Sequence, residues 1–183
     1  QCNSCKKWNT LSEEVLGKLD KKSWISENKA DTLSKPLGIN QIETSTESRI
    51  DTGDNELNRV LGGGIIPGAI ILLGGEPGIG KSTLLLQIAI TVGLKVLYVS
   101  GEESQRQIKI RSDRMDAYSD KCFVLSETKT QNIFSQIENL TPEMLVIDSI
   151  QTLHTDYVDN TPGSVSQIKE CTSEFVKFAK ETH

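Results

Sequence analysis

The chain has 183 residues, 36% hydrophobic and 25% charged, which is enough for one α/β core plus some less structured sequence. Its formal net charge of −5 excludes a simple basic polyanion-binding module, so any contact with nucleic acid must be local. The sequence has no run of 18 apolar residues and no signal-peptide pattern, which predicts a cytoplasmic protein without a membrane partner.

Neither end of the sequence carries the usual signal for the start or end of a protein domain. The chain begins at Gln1 and not at a methionine, and near its end a helical pattern over residues 165–179 continues to His183 without a stop signal. We therefore expect a piece of a longer chain.

Four cysteines are present, and only Cys2 and Cys5 are close in sequence. Their Cys-x-x-Cys spacing suits two zinc thiolates, although a tetrahedral structural site needs four ligands and the sequence has no second pair. A redox pair would precede a helix in a βαβ unit, which this pair does not. The spacing predicts half of a zinc site, and we expect Cys122 and Cys171 to be small buried apolar residues.

The predicted elements begin after a polar stretch, residues 12–47, which has the composition of a linker. Thr52 is then a candidate N-cap for a short helix over residues 54–61, followed by a glycine-rich turn. Beyond the turn, helical and strand patterns alternate. The predicted strands are 69–73, 95–100, 122–125 and 144–147, and the predicted helices are 82–92, 104–115, 130–140 and 165–179.

This alternation with short connections is typical of an α/β fold, in which helices cover a parallel sheet. The strand patterns are continuous apolar runs, as expected for strands that are buried on both faces. The loop between the first strand and its helix carries the strongest motif of the sequence.

That loop matches G-x-x-x-x-G-K-[ST], the pattern of a loop that holds the phosphates of a nucleoside triphosphate. Its glycines let backbone N–H groups approach phosphate oxygens at the start of a helix. Lys81 is predicted to reach the β- and γ-phosphates, Ser82 to bind Mg²⁺, and Thr83 to meet the α-phosphate. The predicted nucleotide-binding residues of this loop are Gly75, Glu76, Pro77, Gly78, Ile79, Gly80, Lys81, Ser82 and Thr83.

Two carboxylate positions follow predicted strands. Asp148 ends the apolar strand over residues 144–147, where P-loop enzymes hold magnesium through water. Glu102 and Glu103 directly follow the strand over 95–100, where a carboxylate can reach a water beside the γ-phosphate. The alternative for this pair is that acidic residues favour the first turn of the next helix.

The helix predicted over residues 104–115 carries four cations. Arg106, Lys109, Arg111 and Arg114 spread around the helix and do not form one stripe, so we interpret them as a solvated face. His154 is a lone histidine beside the strand that ends at Asp148, and we expect it to be structural.

Several motifs together resemble the bacterial RadA/Sms family of DNA-repair proteins, over about residues 1–11 and 48–183. The combination is far more specific than the phosphate loop alone, which very many NTPases share. Besides that loop, the resemblance rests on residues 49–53, 57–64, 67–68, 98–104, 148–152 and 162–167.

The resemblance implies an organisation and an activity. Residues 1–11 look like the second half of a four-cysteine zinc finger, which holds Zn²⁺ in the parent protein, and residues 48–183 look like the first part of a RecA-like ATPase core. A Lon-protease-like domain would follow. The family implies a DNA-dependent ATPase that uses ATP and Mg²⁺ and forms ring-like homo-oligomers. It acts on single-stranded or branched DNA in recombinational repair.

The resemblance also assigns individual residues. Glu102 corresponds to the catalytic glutamate that polarises the attacking water, and Gln151 to a residue that helps to sense the phosphate state. Residues 152–164 would form a DNA-facing loop, yet no Lys or Arg occurs between Lys129 and Lys169 to neutralise DNA phosphates. Two alternatives remain open: a KaiC-like ATPase that acts on protein partners, and a P-loop kinase for a small acceptor.

Overall fold

The computed structural model describes residues 36–41 and 48–182. The predicted zinc half-site at Cys2 and Cys5, and most of the predicted linker, lie outside these residues. From α2 onward the described elements alternate between helices and strands, as the sequence predicts. In chain order they are α1 (Asn55–Val60), α2 (Lys81–Thr91), β1 (Val96–Ser100), α3 (Gln105–Arg114), β2 (Cys122–Ser126), α4 (Thr130–Leu140), β3 (Met144–Asp148) and α5 (Val165–Glu181), with short 3₁₀ turns at Ile39–Gln41 and Ile150–Thr152.

The three strands form one parallel sheet in the order β2-β1-β3. Every residue of the central strand β1 is buried, which is why its sequence reads as a continuous apolar run. The register pairs Ser100 with Ser126 on one side and with Asp148 on the other, so the three strands end level with each other. The predicted α/β architecture is confirmed.

One core covers the sheet face that carries Val96, Tyr98 and Val146. Helices α2 and α3 supply the apolar side chains packed on this face. The buried residues of this core are Leu86, Ala89, Ile90, Val96, Tyr98, Ile108 and Val146. Because α2 begins directly after the glycine loop, the same packing holds that loop near the carboxyl ends of β1 and β3.

Helix α5 is held to α4 by aromatic contacts and to the preceding loop by one buried amide. The Phe134 ring lies 5.0 Å from that of Phe175 and 5.4 Å from that of Phe178. The Gln167 side chain is buried, and its Nε2 donates to the carbonyls of Thr155, Val158 and Asn160 at 3.2, 2.7 and 3.0 Å. This amide therefore clamps the loop that follows β3.

The N-cap of α1 differs from the prediction. Asp54 caps the helix, because its Oδ1 accepts from the Leu57 N–H at 2.7 Å. Thr52 lies two residues too early to reach that N–H. Its buried hydroxyl donates instead to Asn58 Oδ1 at 2.9 Å, which fixes the segment before the helix.

The strand predicted over residues 69–73 is not formed. This segment forms neither a helix nor a strand pairing, and Ile70, Ile71 and Leu72 are 49%, 45% and 85% exposed. A strand needs a neighbour for its backbone N–H and C=O groups. The segment pairs with neither β2 nor β3, although these are the two edge strands of the sheet and no other described strand occupies their outer edges. The prediction was therefore wrong for pairing, although the segment still leads into the glycine loop.

The junction after β1 tolerates no side chain at Gly101. A Cβ there would lie 2.1 Å from Thr152 Oγ1 and 2.6 Å from Thr152 Cβ. We expect Gly101→Ala to lower the free energy of unfolding by about 1–3 kcal/mol, the usual cost of overpacking, as measured by denaturant unfolding. Gly74→Ala is the matched control, because a Cβ at Gly74 meets no atom within 4 Å. Equal effects of the two substitutions would contradict this interpretation.

Candidate nucleotide-binding site

The glycine loop leaves open space in front of the first turn of α2. Gly78 and Gly80 have φ angles of 80° and 100°, in the left-handed region that favours glycine. A Cβ at either position would meet no atom within 4 Å. Gly80 is also the N-cap of α2 and offers no side-chain cap, so the unpaired N–H groups of the first turn remain available to an anion.

Lys81, the first residue of α2, is folded back over the loop. Its Nζ donates to the carbonyls of Gly75 and Glu76, each at 2.8 Å. An ammonium has three donors, so one donor remains besides these two contacts. The positive charge therefore lies above the loop backbone, next to the N-terminal end of the α2 dipole.

A hydrogen bond between Ser82 of α2 and Asp148 of β3 joins the helix after the glycine loop to the sheet. The Ser82 hydroxyl donates to Asp148 Oδ1 at 3.0 Å, although the two residues are 66 positions apart in the chain. A hydroxyl and a carboxylate side by side are the oxygen ligands that Mg²⁺ prefers, either directly or through its waters. The residues present therefore fit a magnesium ion bound together with phosphates.

The second oxygen of Asp148 is held from inside the core. The hydroxyl of the buried Tyr98 donates to Asp148 Oδ2 at 2.6 Å. Burial raises the pKa of Tyr98, and the hydrogen bond to Asp148 and its negative charge raise that pKa further. The phenol is therefore a permanent donor to this carboxylate.

The two neighbouring glutamates have different surroundings. Glu103 forms an ion pair with Arg111, with 2.7 Å between Oε2 and the guanidinium, and its backbone N–H donates to Ser100 Oγ. Glu102 is exposed, and its Oε1 accepts from the Ser149 hydroxyl at 3.2 Å. Both glutamates line an open cleft of about 310 Å³ at the carboxyl ends of β1 and β2. Only Glu102 is free of a cationic partner in this pair, which favours it as the residue that contacts a reacting water.

Sequence reasoning missed the roles of Tyr98 and Arg111. The prediction of a wholly solvated cationic face on α3 was wrong for Arg111, whose side chain is 19% exposed and contacts both Glu103 and Tyr98. The missed signal was a tyrosine at the centre of an apolar strand. A buried phenol needs a hydrogen-bond partner, and the end of the adjacent strand offers one.

The remaining predicted residues lie around this centre. Thr83 and Gln151 are exposed, one in the first turn of α2 and the other in the turn after Asp148. His154 makes backbone hydrogen bonds with Thr128 and Thr130. Cys171 is buried as expected, whereas Cys122 is half-buried, and burial raises the pKa of its thiol.

Two features are absent from residues 36–41 and 48–182. Within these ranges, no group of three or more His, Cys, Asp or Glu side chains is arranged to hold a metal ion. The same part of the chain contains no helix that is long and apolar enough to cross a membrane.

A phosphate loop on a parallel sheet, with a hydroxyl and a strand-end carboxylate at its mouth, defines a P-loop nucleotide-binding domain. The family model of an AAA domain matches residues 39–182, and the chain belongs to this family. It is 46% identical over 185 aligned residues to the DNA repair protein RadA of Halalkalibacterium halodurans, and 45% identical to that of Bacillus subtilis. The RadA protein of Listeria monocytogenes is 44% identical.

These alignments cover 98–100% of this chain but only 40% of each relative, so the chain spans about two fifths of their length. The resemblance to bacterial RadA proteins and the RecA-like P-loop fold expected from the sequence are thereby confirmed. An ATPase of this family uses ATP and Mg²⁺. The roles of individual site residues remain predictions, supported by the geometry above.

The contrast between the two glutamates gives a testable ranking. We expect Glu102→Gln to preserve ATP affinity but to lower hydrolysis about 10²-fold or more, because the amide cannot accept the proton of the attacking water. Glu103→Gln, the matched control, should lower hydrolysis less, because Glu103 is engaged by Arg111. Single-turnover hydrolysis and equilibrium ATP binding separate the two effects. If Glu103→Gln had the larger effect on hydrolysis, the catalytic role would belong to Glu103.

Proposed function

We propose that this chain is the ATP-binding and hydrolysing part of a DNA-repair ATPase of the RecA superfamily. The observation that carries the proposal is the 3.0 Å contact between Ser82, at the start of the loop helix, and Asp148, at the end of β3. It joins the predicted phosphate-binding and magnesium-binding elements at one point. The names of the similar RadA proteins support DNA repair as the process.

Each group of the site has its own role in ATP binding and hydrolysis. Backbone N–H groups of the glycine loop and of the first turn of α2 bind phosphate oxygens, and Lys81 adds a point charge at the β- and γ-phosphates. Ser82 and Asp148 would hold a magnesium ion, which would supply positive charge beside the phosphates. Glu102 orients the attacking water and accepts its proton, and Gln151 responds to the state of the γ-phosphate.

We further propose that ATP hydrolysis depends on single-stranded or branched DNA and drives a helicase-like motor on recombination intermediates. The working form is then a ring-like homo-oligomer in the bacterial cytoplasm, where chromosomal DNA lies. Residues 1–11 are half of a zinc finger, 12–47 a linker and 48–183 the first part of the ATPase core, with Zn²⁺ held in the parent protein. The KaiC-like and kinase alternatives are not favoured, because the similar relatives are named as DNA-repair proteins.

Lys81 tests the nucleotide site directly. We expect Lys81→Ala to weaken binding of MgATP by about 10²-fold or more, because the site loses the ammonium that is predicted to reach the β- and γ-phosphates. Lys169→Ala is the matched control, since Lys169 is an exposed residue of α5. Equilibrium titration with a fluorescent ATP analogue measures both variants. Near-normal affinity and turnover in Lys81→Ala would show that this glycine loop is not the phosphate-binding loop.

The lack of positive charge in the loop after β3 leads to a prediction about how DNA affects ATP turnover. This 183-residue chain has a net charge of −5 and no Lys or Arg between Lys129 and Lys169, so its predicted DNA-facing loop brings no cation to DNA phosphates. We expect single-stranded or branched DNA to stimulate ATP turnover by the intact protein, but to have little effect on the chain of residues 1–183.

The measurement is ATP turnover with and without DNA over a range of salt concentrations. Genuine coupling should fall steeply with salt, because DNA binding releases counterions. Strong stimulation of the 183-residue chain would locate the coupling elements within it. If the intact protein did not respond to DNA, the proposal of a repair motor would fail in favour of an ATPase that acts on protein partners.

A further inference from the structure

A continuous chain of hydrogen bonds runs from helix α3 through the core to Asp148. An Arg111 terminal nitrogen donates to the Tyr98 hydroxyl at 3.2 Å, and that hydroxyl donates to Asp148 Oδ2 at 2.6 Å. On the other side of the carboxylate, Ser82 donates to Oδ1 at 3.0 Å. The two oxygens of Asp148 therefore have different partners, one inside the core and one at the mouth of the loop.

The direction of this chain is fixed by chemistry. A guanidinium only donates hydrogen bonds, so the oxygen of Tyr98 must accept from Arg111. The single phenol proton is then left for Asp148 Oδ2. Tyr98 has no exposed surface, so water does not compete for that proton.

The sheet register explains why Tyr98 reaches this carboxylate. Ser100 pairs directly with Asp148 on the adjacent strand, and Tyr98 lies two residues before Ser100 on the same face of β1. Its long ring spans the diagonal between the strands, and its hydroxyl arrives at the strand end. A phenylalanine would fill the same space but would leave Oδ2 without a donor.

We propose that Tyr98 is a positioning residue for Asp148: its hydroxyl holds Oδ2 and thereby turns Oδ1 toward Ser82 and the magnesium position. Arg111 acts one step further away, because it fixes the hydroxyl of Tyr98. This inference rests on the proposed function, since it requires a nucleotide that binds with magnesium at the glycine loop. A carboxylate held at one oxygen loses less orientational freedom when its other oxygen engages the metal shell.

The test is Tyr98→Phe in the intact protein, with Tyr118→Phe as the matched control. Tyr118 is an exposed tyrosine beside Lys109, outside the hydrogen-bond chain to Asp148, and receives the same chemical change. Two quantities are measured: the Mg²⁺ concentration that half-saturates binding of a fluorescent ADP analogue, and the affinity for that analogue in EDTA. Mn²⁺ binding in the presence of ADP, followed by electron paramagnetic resonance, reports on the metal site without hydrolysis.

We expect Tyr98→Phe to raise the half-saturating Mg²⁺ and Mn²⁺ concentrations about tenfold, the effect of losing one hydrogen bond to a charged group. The affinity in EDTA should stay within about twofold of the unmodified protein, because the phosphate loop itself is unchanged. Tyr118→Phe should leave both quantities unaltered. Unaltered metal dependence in Tyr98→Phe, or an equal loss of affinity with and without metal, would overturn the proposal.

A second variant keeps the test decisive if Tyr98→Phe does not fold. Arg111→Met alone should raise the half-saturating Mg²⁺ concentration about threefold, and this single variant carries the test in that case. Where Tyr98→Phe does fold, adding Arg111→Met to it should produce no further rise, because the two residues act in series. An unchanged metal dependence in Arg111→Met, or fully additive effects, would contradict this order. If the unmodified protein bound no nucleotide with or without metal, the proposed function itself would fail; metal-dependent binding that ignores Tyr98 would overturn only the positioning role.

Discussion

The carboxylate of Asp148 is the constraint on which the rest of the site depends. It stands at the end of β3, yet its oxygens are held by Ser82 from the loop helix and by Tyr98 from the central strand. These contacts join three segments that are far apart in the chain. Moving any one of them would change the distance between the phosphate loop and the end of the sheet, and with it the space that we propose for a metal and phosphates.

The parallel register is what makes this convergence possible. The carboxyl ends of all three strands lie at the same edge, so side chains that follow different strands share one surface. Glu102, after β1, and Asp148, at the end of β3, are brought to this edge, and the Ser149 hydroxyl connects the two segments by donating to Glu102. The packing of Thr152 against Gly101 brings the turn after β3 against the end of β1, so the position of Glu102 depends on that turn.

Local sequence patterns predicted most of the elements and the phosphate loop, because apolar periodicity and glycine placement are local signals. The strand over residues 69–73 was predicted from its apolar run alone, but pairing depends on a neighbouring strand, which no local pattern reveals. Arg111 was assigned to solvent because its own helix gave no reason to turn inward. Its partners Tyr98 and Glu103 lie on and after another element, so only the tertiary arrangement discloses the network.

The clamp that Gln167 forms on the loop after β3 has a consequence for experiments in different buffers. Its hydrogen bonds to the carbonyls of Thr155, Val158 and Asn160 are buried and involve a neutral amide, so neither pH nor ionic strength acts directly on them. The ion pair between Lys129 and Asp156 nearby is partly exposed, and such pairs contribute little to stability. The loop should therefore keep its shape in high salt, and a loss of DNA response under those conditions would report on the encounter with DNA and not on a rearranged loop.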